Sequence, residues 1–527
     1  MNIDITQLSN AARSAWARQD WATVESCARD ILRLNSASAE AHFLEGLVHN
    51  AATRPILATR AFEKALELDP LRYDAAIELA SQHSIGRRNG QAAELIARYE
   101  KQLANSPRYL DMAGTVYTEI GLAEKAWHLY KRANELQPGI DLFMANMASC
   151  GVYLGKIDEA HEIYKSLLSR FPNHQRNHYH LARLEKARDD SHVEQMKKVL
   201  DATRLPDDRN VFIYYAIGKE LEDLGRWSEA FTYYKNAGDA VSTVAKYDIN
   251  DDLKLIDTII EVCDKNWLND HPVSTPQVYR DKTPVFVVGL PRTGTTLTER
   301  IISSHSRAES LGETQFMQMV LRSISGIASV DAMNSEMIAA AASKDIAEIG
   351  TRYLDAVAYR LGEKPMFIDK LPFNFLFLGF IAKAYPHARM VHLVRNPMDS
   401  CFSMYKQVFT WAYKFSYSLE NLGRYYVEHE RLRRHWKQVL GDRVIEVQYE
   451  ALVDDQERET RRILDNLGLD FEQACLDFDQ NASATTTASS VQVREKIHSR
   501  SVRRWTNFAK ELEPLKSYLE AHGIAVA

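Results

Sequence analysis

The chain has 527 residues, a length that predicts roughly two to four domains. A hydrophobic fraction of 45% and a charged fraction of 26% argue against disordered, collagen-like and low-complexity classes. The net charge of −6 comes wholly from residues 1–280, which hold 34 basic and 40 acidic groups, because residues 281–527 hold 31 of each. Without a basic excess, the chain is not expected to bind nucleic acid in bulk, although a local anion site remains open.

The cysteines are odd in number, far apart in sequence and without a Cys-x-x-Cys pair. They predict neither a disulfide framework nor a zinc ribbon, so we expect a reducing compartment and no metal site. The first residues contain neither a basic start nor an apolar run of signal-peptide length, and the chain nowhere has about 18 consecutive apolar residues. We therefore expect a soluble cytoplasmic protein. The cysteines are Cys27, Cys150, Cys263, Cys401 and Cys475.

Small and aromatic residues recur through residues 1–240 with a period of about 34 residues. The clearest copy spans 109–138, and its Ala126 corresponds to Ala160 in the following copy. Small residues at fixed positions allow two helices to approach, a ring fills the gap between them, and a glycine and a proline mark the turn and the end. The clearest copy contains Ala113, Gly114, Tyr117, Gly121, Ala126, Tyr130, Ala133 and Pro138.

This pattern resembles the tetratricopeptide repeat, a unit of two helices. About seven units fit into residues 1–240, of which the first and the third are degenerate. The resemblance implies an all-α solenoid whose concave surface binds a peptide or a protein. The alternative is an array that only supports, dimerises or solubilises the rest of the chain. Both hypotheses remain open, and so does a homodimer.

Residues 241–280 are predicted to form a helical connector that ends in a turn-forming segment, 269–276, with two prolines. The pattern then changes, because residues 284–289 are a short apolar run rich in β-branched residues, typical of a buried parallel strand. A loop from Gly289 to Gly294 follows, and then a helix. Strand, loop and helix N-terminus together predict an anion site, since free backbone N–H groups and the helix dipole point at one place.

The spacing of the two loop glycines is that of a Walker A loop, so a nucleoside triphosphatase or a kinase is one candidate. In a Walker A loop a lysine follows the second glycine, whereas this chain has Thr295 there and its loop cation, Arg292, precedes the glycine. The sequence Pro-Arg-Thr-Gly-Thr-Thr instead resembles the 5′-phosphosulfate loop of sulfotransferases that use 3′-phosphoadenosine-5′-phosphosulfate (PAPS). That resemblance implies PAPS binding without a metal ion. The implied phosphosulfate ligands are Arg292, Thr293, Gly294, Thr295 and Thr296.

A second motif lies about 100 residues further along the chain. A predicted strand over 388–395 ends in Arg395, and Ser403 follows on the next helix. The pair resembles the 3′-phosphate motif of the same family, in which an arginine offers a fork of donors and a serine offers a hydroxyl. Two motifs in this order are more specific than either alone. The resemblance further implies that Tyr449 lies near the nucleotide and that Arg503 and Arg504 close over a phosphate.

Transfer of a sulfuryl group to a hydroxyl requires a base for the acceptor proton and positive charge near the leaving phosphate oxygen. Segments 305–314 and 367–375 resemble the protein-tyrosine sulfotransferase branch. This resemblance implies that Glu313 is the base and that Lys370 and Ser489 stabilise the transition state, together with Arg292. Asp369 is the rival carboxylate. Two histidines are expected to have structural places instead, His392 in the core and His305 in loop organisation.

The sequence leaves the acceptor open. Gln315, Met319 and Gln407 stand near positions where the tyrosine-protein branch carries arginines that receive acidic peptides. The first hypothesis is a protein tyrosine presented by the repeats, and the second is a small phenol, carbohydrate or lipid hydroxyl. The third is a repeat scaffold with an inactive or PAPS-sensing domain. The predicted fold is multi-domain, with the repeat solenoid over 1–240, the connector over 241–280 and an α/β P-loop-like sulfotransferase domain with a parallel sheet over 281–527.

Overall fold

The structure is a computed structural model that describes residues 4–203, 205–270, 281–329, 331–409, 412–487 and 489–526. The chain forms two compact units, residues 1–151 and 152–527. This division differs from the predicted segments, because repeats beyond residue 151 lie in the same compact unit as the sheet. The segment boundaries at 240 and 280 stay a prediction, and most of the boundary signal at 269–276 lies outside the described residues.

Helices build the first unit, and the last of them ends just beyond it: α1 (Ile5–Ala17), α2 (Trp21–Leu34), α3 (Ala39–Ala51), α4 (Pro55–Leu68), α5 (Tyr73–Ile85), α6 (Asn89–Leu103), α7 (Pro107–Glu119), α8 (Ala123–Leu136) and α9 (Asp141–Tyr153). They pack in successive pairs, α1 with α2, α3 with α4, α5 with α6 and α7 with α8. The close approach predicted from the small residues is present, since a Cβ on Gly114 of α7 would lie 2.8 Å from the Tyr130 ring of α8. The pairs therefore have the tetratricopeptide-like form that the sequence predicts.

The second unit begins with further helices of the same kind: α10 (Ile157–Arg170), α11 (Gln175–Leu184), α12 (Ser191–Thr203), α13 (Val211–Asp223), α14 (Trp227–Val244), α15 (Ile249–Val262) and α16 (Lys265–Asn269). One hydrophobic core extends from Tyr179 in α11 through α13, α14 and α15 to Phe286 and onward to Val526. The later repeats and the sheet therefore share a core, which explains why they form one compact unit.

Five parallel strands form the sheet of the second unit: β1 (Thr283–Gly289), β2 (Ala308–Ser310), β3 (Met366–Asp369), β4 (Arg389–Val394) and β5 (Val444–Gln448). Their order across the sheet is β2-β3-β1-β4-β5. The register pairs Phe286 with Asp369, Gly289 with Leu393 and Val394 with Gln448. The carboxyl ends of β1, β3, β4 and β5 consequently lie along one edge, where ligands bind in open α/β sheets.

The remaining helices connect and cover these strands: α17 (Thr295–Ser303), α18 (Phe316–Ser325), α19 (Ser335–Ala342), α20 (Ile346–Val357), α21 (Leu378–Ala384), α22 (Pro397–Tyr405), α23 (Leu419–Leu440), α24 (Tyr449–Asp454), α25 (Gln456–Leu467) and α26 (Glu513–Ala521). Residues 481–505 are named the C-terminal segment below. Where the structure describes this segment, at 481–487 and 489–505, its regular elements are short 3₁₀ turns at Gln492–Arg494 and Ser499–Ser501 and from Arg504 onward. Across the described parts of the chain, no helix combines the length and the apolar character needed to cross a membrane.

Candidate active site

The loop after β1 forms a cradle at the carboxyl edge of the sheet. Helix α17 begins at Thr295, and Gly294 before it has a φ of +103°. The first N–H groups of a helix have no partner inside the helix, so those of α17 are available to an anion at this loop. The Thr293 hydroxyl donates to the Leu290 carbonyl at 2.7 Å and braces the turn. The start of α17 thus lies at the loop for which the sequence predicts an anion site, and the site itself stays a prediction.

Arg292 projects from this loop in a left-handed conformation, with a φ of +69°. Its guanidinium donates to Ser489 Oγ and, at 2.7 Å, to Gln492 Oε1, both in the C-terminal segment. Burial and the positive charges of Arg183 and Arg395 lower the pKa of Arg292 to about 10, so it remains protonated at neutral pH. Because both of these acceptors are uncharged, the positive charge of Arg292 is available to an anionic ligand.

Lys370, Glu313 and Glu299 form a charged cluster beside the loop. The Lys370 side chain is fully buried, and its Nζ lies 2.6 Å from Glu313 Oε1 and 3.7 Å from Glu299 Oε2. Burial acts to lower the pKa of Lys370, but the two carboxylates outweigh it and raise the pKa. The Glu313 side chain remains 32% exposed. Of the two carboxylates that contact Lys370, Glu313 is thus the one that an acceptor can reach.

Asp369, the rival carboxylate in the sequence, is fully buried and surrounded by donors. Its Oδ2 accepts from the Thr314 hydroxyl at 2.5 Å and from the Tyr353 hydroxyl at 2.7 Å, and its Oδ1 accepts from Asn374 Nδ2 at 3.2 Å. Burial raises the pKa of Asp369 to about 7, against the effect of these donors. Asp369 is bound to the Thr314 hydroxyl and directly precedes Lys370 in the sequence. We therefore assign it a supporting role beside these two residues, not contact with an acceptor.

His392 and His305, the two histidines for which the sequence predicts structural roles, contact other parts of the fold. His392 is fully buried in β4 with its Nε2 3.3 Å from His429 Nε2, and burial holds its pKa well below the usual range. The Nε2 of His305 lies 2.9 Å from the Asp470 carbonyl, and its Nδ1 accepts the N–H of Arg307 at 3.0 Å. Both interactions of His305 hold loop backbone in place.

Arg395 follows β4 and joins the loop to the C-terminal segment. Its Nη1 donates to the Arg292 carbonyl at 2.8 Å and lies 3.5 Å from Ser403 Oγ, while its Nη2 donates to the Ser501 carbonyl at 2.5 Å. The guanidinium lies 4.7 Å from the centre of the Tyr449 ring. Its Nε is buried and has no hydrogen-bond partner among the described residues. A ligand oxygen at this place would satisfy that donor.

A cavity of about 590 Å³ opens beside Arg395, and Arg434 and Arg503 also line it. Three carboxylates lie along its wall, but each already accepts hydrogen bonds. Asp399 accepts the N–H groups of Arg503 and Trp505, Glu450 accepts the N–H of Asn396, and Glu430 accepts from Arg433. The wall therefore carries equal numbers of arginines and acidic residues, and an anionic ligand would be bound there through the arginines.

Residues 284–473, which contain all five strands apart from the first residue of β1, match the family model described as Sulfotransferase family. This part of the chain is a sulfotransferase-family domain. The match begins in β1 and covers the loop, Glu313, Lys370, Arg395 and Tyr449. The C-terminal segment lies beyond it.

Parts of the chain are also similar to other proteins. An uncharacterized protein of Aquifex aeolicus (strain VF5) is 26% identical over 429 residues, which are 79% of this chain and 55% of that protein. Protein-tyrosine sulfotransferase 1 of Danio rerio is 25% identical over 214 residues, 40% of this chain and 59% of its own. The chain thus spans little more than half the length of each. A crystal structure of a thermophilic TPR protein from Thermus thermophilus covers 34% of this chain and 98% of its own, at 16% identity and a TM-score of 0.30.

The sulfotransferase domain brings most of the predicted residues to one edge of the sheet. Arg292, Ser489, Lys370 and Glu313 lie around the loop, and Arg395, Ser403 and Tyr449 lie beside it. Arg504 lies apart from the cavity wall, with its Nε 2.9 Å from Glu222 Oε1 of helix α13. The sequence alone does not reveal the supporting residues, which are Glu222, Glu299, Tyr353, Asn374 and Gln492.

Proposed function

We propose that the protein transfers a sulfuryl group from PAPS to an acceptor hydroxyl. The observation that carries the proposal is the pair of Glu313 Oε1 and Lys370 Nζ, 2.6 Å apart, beside a loop with a protonated arginine. A base for a hydroxyl proton and cations for a leaving phosphate are the two requirements of this reaction. They lie next to an anion cradle in a domain of the sulfotransferase family.

The donor would lie along the carboxyl edge of the sheet. The loop and the first turn of α17 would hold the phosphosulfate, through backbone N–H groups and the side chains of Arg292, Thr295 and Thr296. Arg395 would bind the 3′-phosphate, together with Ser403, and its unpartnered Nε supports this placement. The nucleotide would extend into the cavity that Arg503 lines, near the Tyr449 ring. The cations of this edge match the charge of such a donor.

The reaction would be an in-line displacement at sulfur. The acceptor oxygen forms a bond to sulfur while the bond from sulfur to the bridging phosphate oxygen breaks, and the acceptor proton passes to Glu313. Adenosine 3′,5′-bisphosphate leaves with new negative charge on its phosphate, where Arg292, Lys370 and Ser489 would stabilise it. When Lys370 turns toward that oxygen, Glu299 remains near it, so the buried ammonium keeps a carboxylate partner.

A protein tyrosine remains the first candidate acceptor. The Danio rerio relative carries the name protein-tyrosine sulfotransferase, and the chain also has repeats of a kind that binds peptides. Gln407 departs from the arginine of that branch, and its Nε2 donates to the Tyr179 hydroxyl of the repeat helix α11 at 3.0 Å. A small phenol, carbohydrate or lipid hydroxyl is the alternative. A domain that only senses PAPS is disfavoured because the Glu313 and Lys370 pair is complete.

Two measurements on matched variants test the proposal. We expect the protein to bind adenosine 3′,5′-bisphosphate and to transfer label from PAPS to a component of a cell extract. Glu313→Gln should keep that affinity within about twofold and lose about 10²–10⁴-fold in transfer, as expected for a general base. Glu336→Gln, an exposed change in the first turn of α19, is the control and should alter neither. Unchanged transfer by the Glu313 variant would contradict its role as base.

Arg395→Ala tests the donor site separately. The variant should bind adenosine 3′,5′-bisphosphate at least tenfold more weakly, because it removes a charged donor at the 3′-phosphate. Calorimetric titration measures the change. A protein that does not bind the bisphosphate at all contradicts the choice of PAPS as donor, whatever its activity toward other compounds.

A further inference from the structure

We propose that Glu222, a residue of the repeat helix α13, positions the donor-binding Arg503 by holding its neighbour Arg504, so that the repeats form part of the donor site. This inference rests on the proposed function, because it concerns the site assigned to PAPS. It deepens that function by giving a repeat residue a place in donor binding.

Glu222 joins three elements in one buried cluster. It is only 5% exposed. Its Oε1 accepts from Lys406 Nζ at 2.6 Å and from Arg504 Nε at 2.9 Å, and its Oε2 accepts from the Tyr234 hydroxyl of α14 at 2.8 Å. Lys406 directly follows α22, the helix that carries Ser403. Glu222 therefore ties a pair of repeat helices both to the 3′-phosphate helix and to the C-terminal segment.

Arg503 is held from both sides in a conformation that it would not adopt alone. Its φ is +58°, in the left-handed region, which is unfavourable for a residue other than glycine. On one side, Asp399 accepts the N–H of Arg503 at 2.6 Å and that of Trp505 at 3.0 Å. On the other side, the Arg504 guanidinium is bound to Glu222 and lies 5.3 Å from the centre of the Trp227 ring of α14.

Arg503 and Arg504, although consecutive, therefore have different roles. Arg504 anchors the chain to the repeats, while Arg503 lines the cavity that Arg395 also lines. The Arg395 guanidinium donates to the Ser501 carbonyl at 2.5 Å, so the backbone on the other side of Arg503 is attached to the site as well. Removing the Glu222 anchor should let residues 503–505 relax and should withdraw Arg503 from the cavity.

The negative charge of Glu222 should affect donor affinity in the opposite direction to its positioning role, so the experiment must distinguish the two effects. Burial acts to raise the pKa of Glu222, but Lys406, Arg504 and the Tyr234 hydroxyl lower it overall, so the carboxylate is ionised at neutral pH. Loss of a negative charge near an anion site would by itself strengthen anion binding. Glu222→Asp keeps the charge and shortens the side chain, whereas Glu222→Gln keeps the length and removes the charge. Positioning predicts that both weaken binding.

The control is Glu220→Gln in the same helix. Glu220 is equally buried, at 3% exposure, but its Oε1 lies 2.6 Å from His192 Nδ1, away from the C-terminal segment. Loss of that buried interaction should lower the unfolding temperature about as much as loss of Glu222. A purely structural effect of the substitutions would therefore appear in both positions. An effect on donor binding should appear only at Glu222.

The experiment is calorimetric titration of the full-length variants with adenosine 3′,5′-bisphosphate, together with kinetics. We expect both Glu222 variants to bind about tenfold more weakly and to show a matching rise in KM for PAPS, with KM for the acceptor unchanged. Glu220→Gln should stay within twofold of the unchanged protein. Arg503→Ala should weaken binding about tenfold in the unchanged protein but less than twofold in Glu222→Asp, because the two changes remove the same contact.

Each outcome decides one question. If the unchanged protein does not bind the bisphosphate, the proposed function fails, and this inference fails with it. If the unchanged protein binds but the Glu222 variants behave like Glu220→Gln, only the inference fails. Tighter binding by Glu222→Gln with unaltered Glu222→Asp would show a charge effect and also overturn it. If the Glu222 variants do not fold, Arg504→Gln replaces them in the same measurement. It should weaken binding of the bisphosphate about tenfold.

Discussion

Replacement of Gly294 by alanine should disable donor binding through two effects that the structure separates. The φ of +103° lies beyond the left-handed region that other residues visit, and a Cβ there would lie 2.6 Å from Cδ2 of the Tyr449 ring. The backbone conformation costs an L-residue roughly 1–2 kcal/mol, and crowding in a packed site costs about 1–3 kcal/mol. Together they amount to about 2–5 kcal/mol. Since the loop can avoid both costs by leaving its binding geometry, the affinity for adenosine 3′,5′-bisphosphate should fall at least about 30-fold.

Calorimetric titration in two backgrounds isolates the crowding. In a Tyr449→Ala protein the ring is gone, so Gly294→Ala should there cost only its backbone part, about 1–2 kcal/mol. The control is Gly326→Ala, at a φ of +71° with open space around its would-be Cβ, which should lower stability and leave the affinity unchanged. Equal losses in both backgrounds would show that the ring does not crowd the loop. An unaltered affinity for Gly294→Ala would refute the reasoning about the loop as a whole.

Three further predictions concern pH, metal and the extent of the folded unit. Because burial raises the pKa of Asp369 from 3.8 to about 7, its favourable contribution is complete below about pH 4 and is lost as pH rises through 7. Between pH 5 and 8 the unfolding free energy in urea should lose about 3 kcal/mol from this group, a loss that Asp369→Asn should lack, and parallel pH profiles would contradict it. Sulfuryl transfer should be unchanged by EDTA, because the proposed reaction uses no metal ion, and inhibition by EDTA would contradict that mechanism. A fragment of residues 152–527 should fold cooperatively, whereas 281–527 should not, because its core extends into α13, α14 and α15; a cooperative melt of the shorter fragment would disprove this.

Features that depend only on residues close together in the sequence could be predicted from it. The strand expected at 284–289 is β1, Thr283–Gly289, and the strand expected at 388–395 is β4, Arg389–Val394. The expected α/β domain with a parallel sheet is confirmed, as is the repeat pattern in helix pairs. These signals are local, since strand periodicity, loop glycines and the interval from Arg395 to Ser403 all fall within a few residues.

The supporting residues could not be predicted because their partners are distant in sequence. A glutamate within a helical pattern, such as Glu299, indicates an exposed face unless its partner is known, yet its carboxylate lies 3.7 Å from the buried Lys370 Nζ. The sequence leaves Asp369 as a rival base for the same reason, since only the fold brings Tyr353 and Asn374 against it. Nothing in the repeat pattern distinguishes Glu222 from other helix residues, because its partner Arg504 lies 282 residues further along the chain.

The contact between Glu222 and Arg504 shows that the net charge of each sequence segment does not describe the charge at the donor site. Residues 281–527 have equal numbers of acidic and basic groups, and the excess of acid lies before them, which suggests that the repeats only repel an anionic donor. Yet Glu222 is shared between Lys406 and Arg504, and this triad retains one positive charge. Arg183 of helix α11 adds another near Arg292. The later repeats therefore supply both a cation and the carboxylate that orders two cations, so the field at the donor site is determined by the folded unit rather than by either sequence segment.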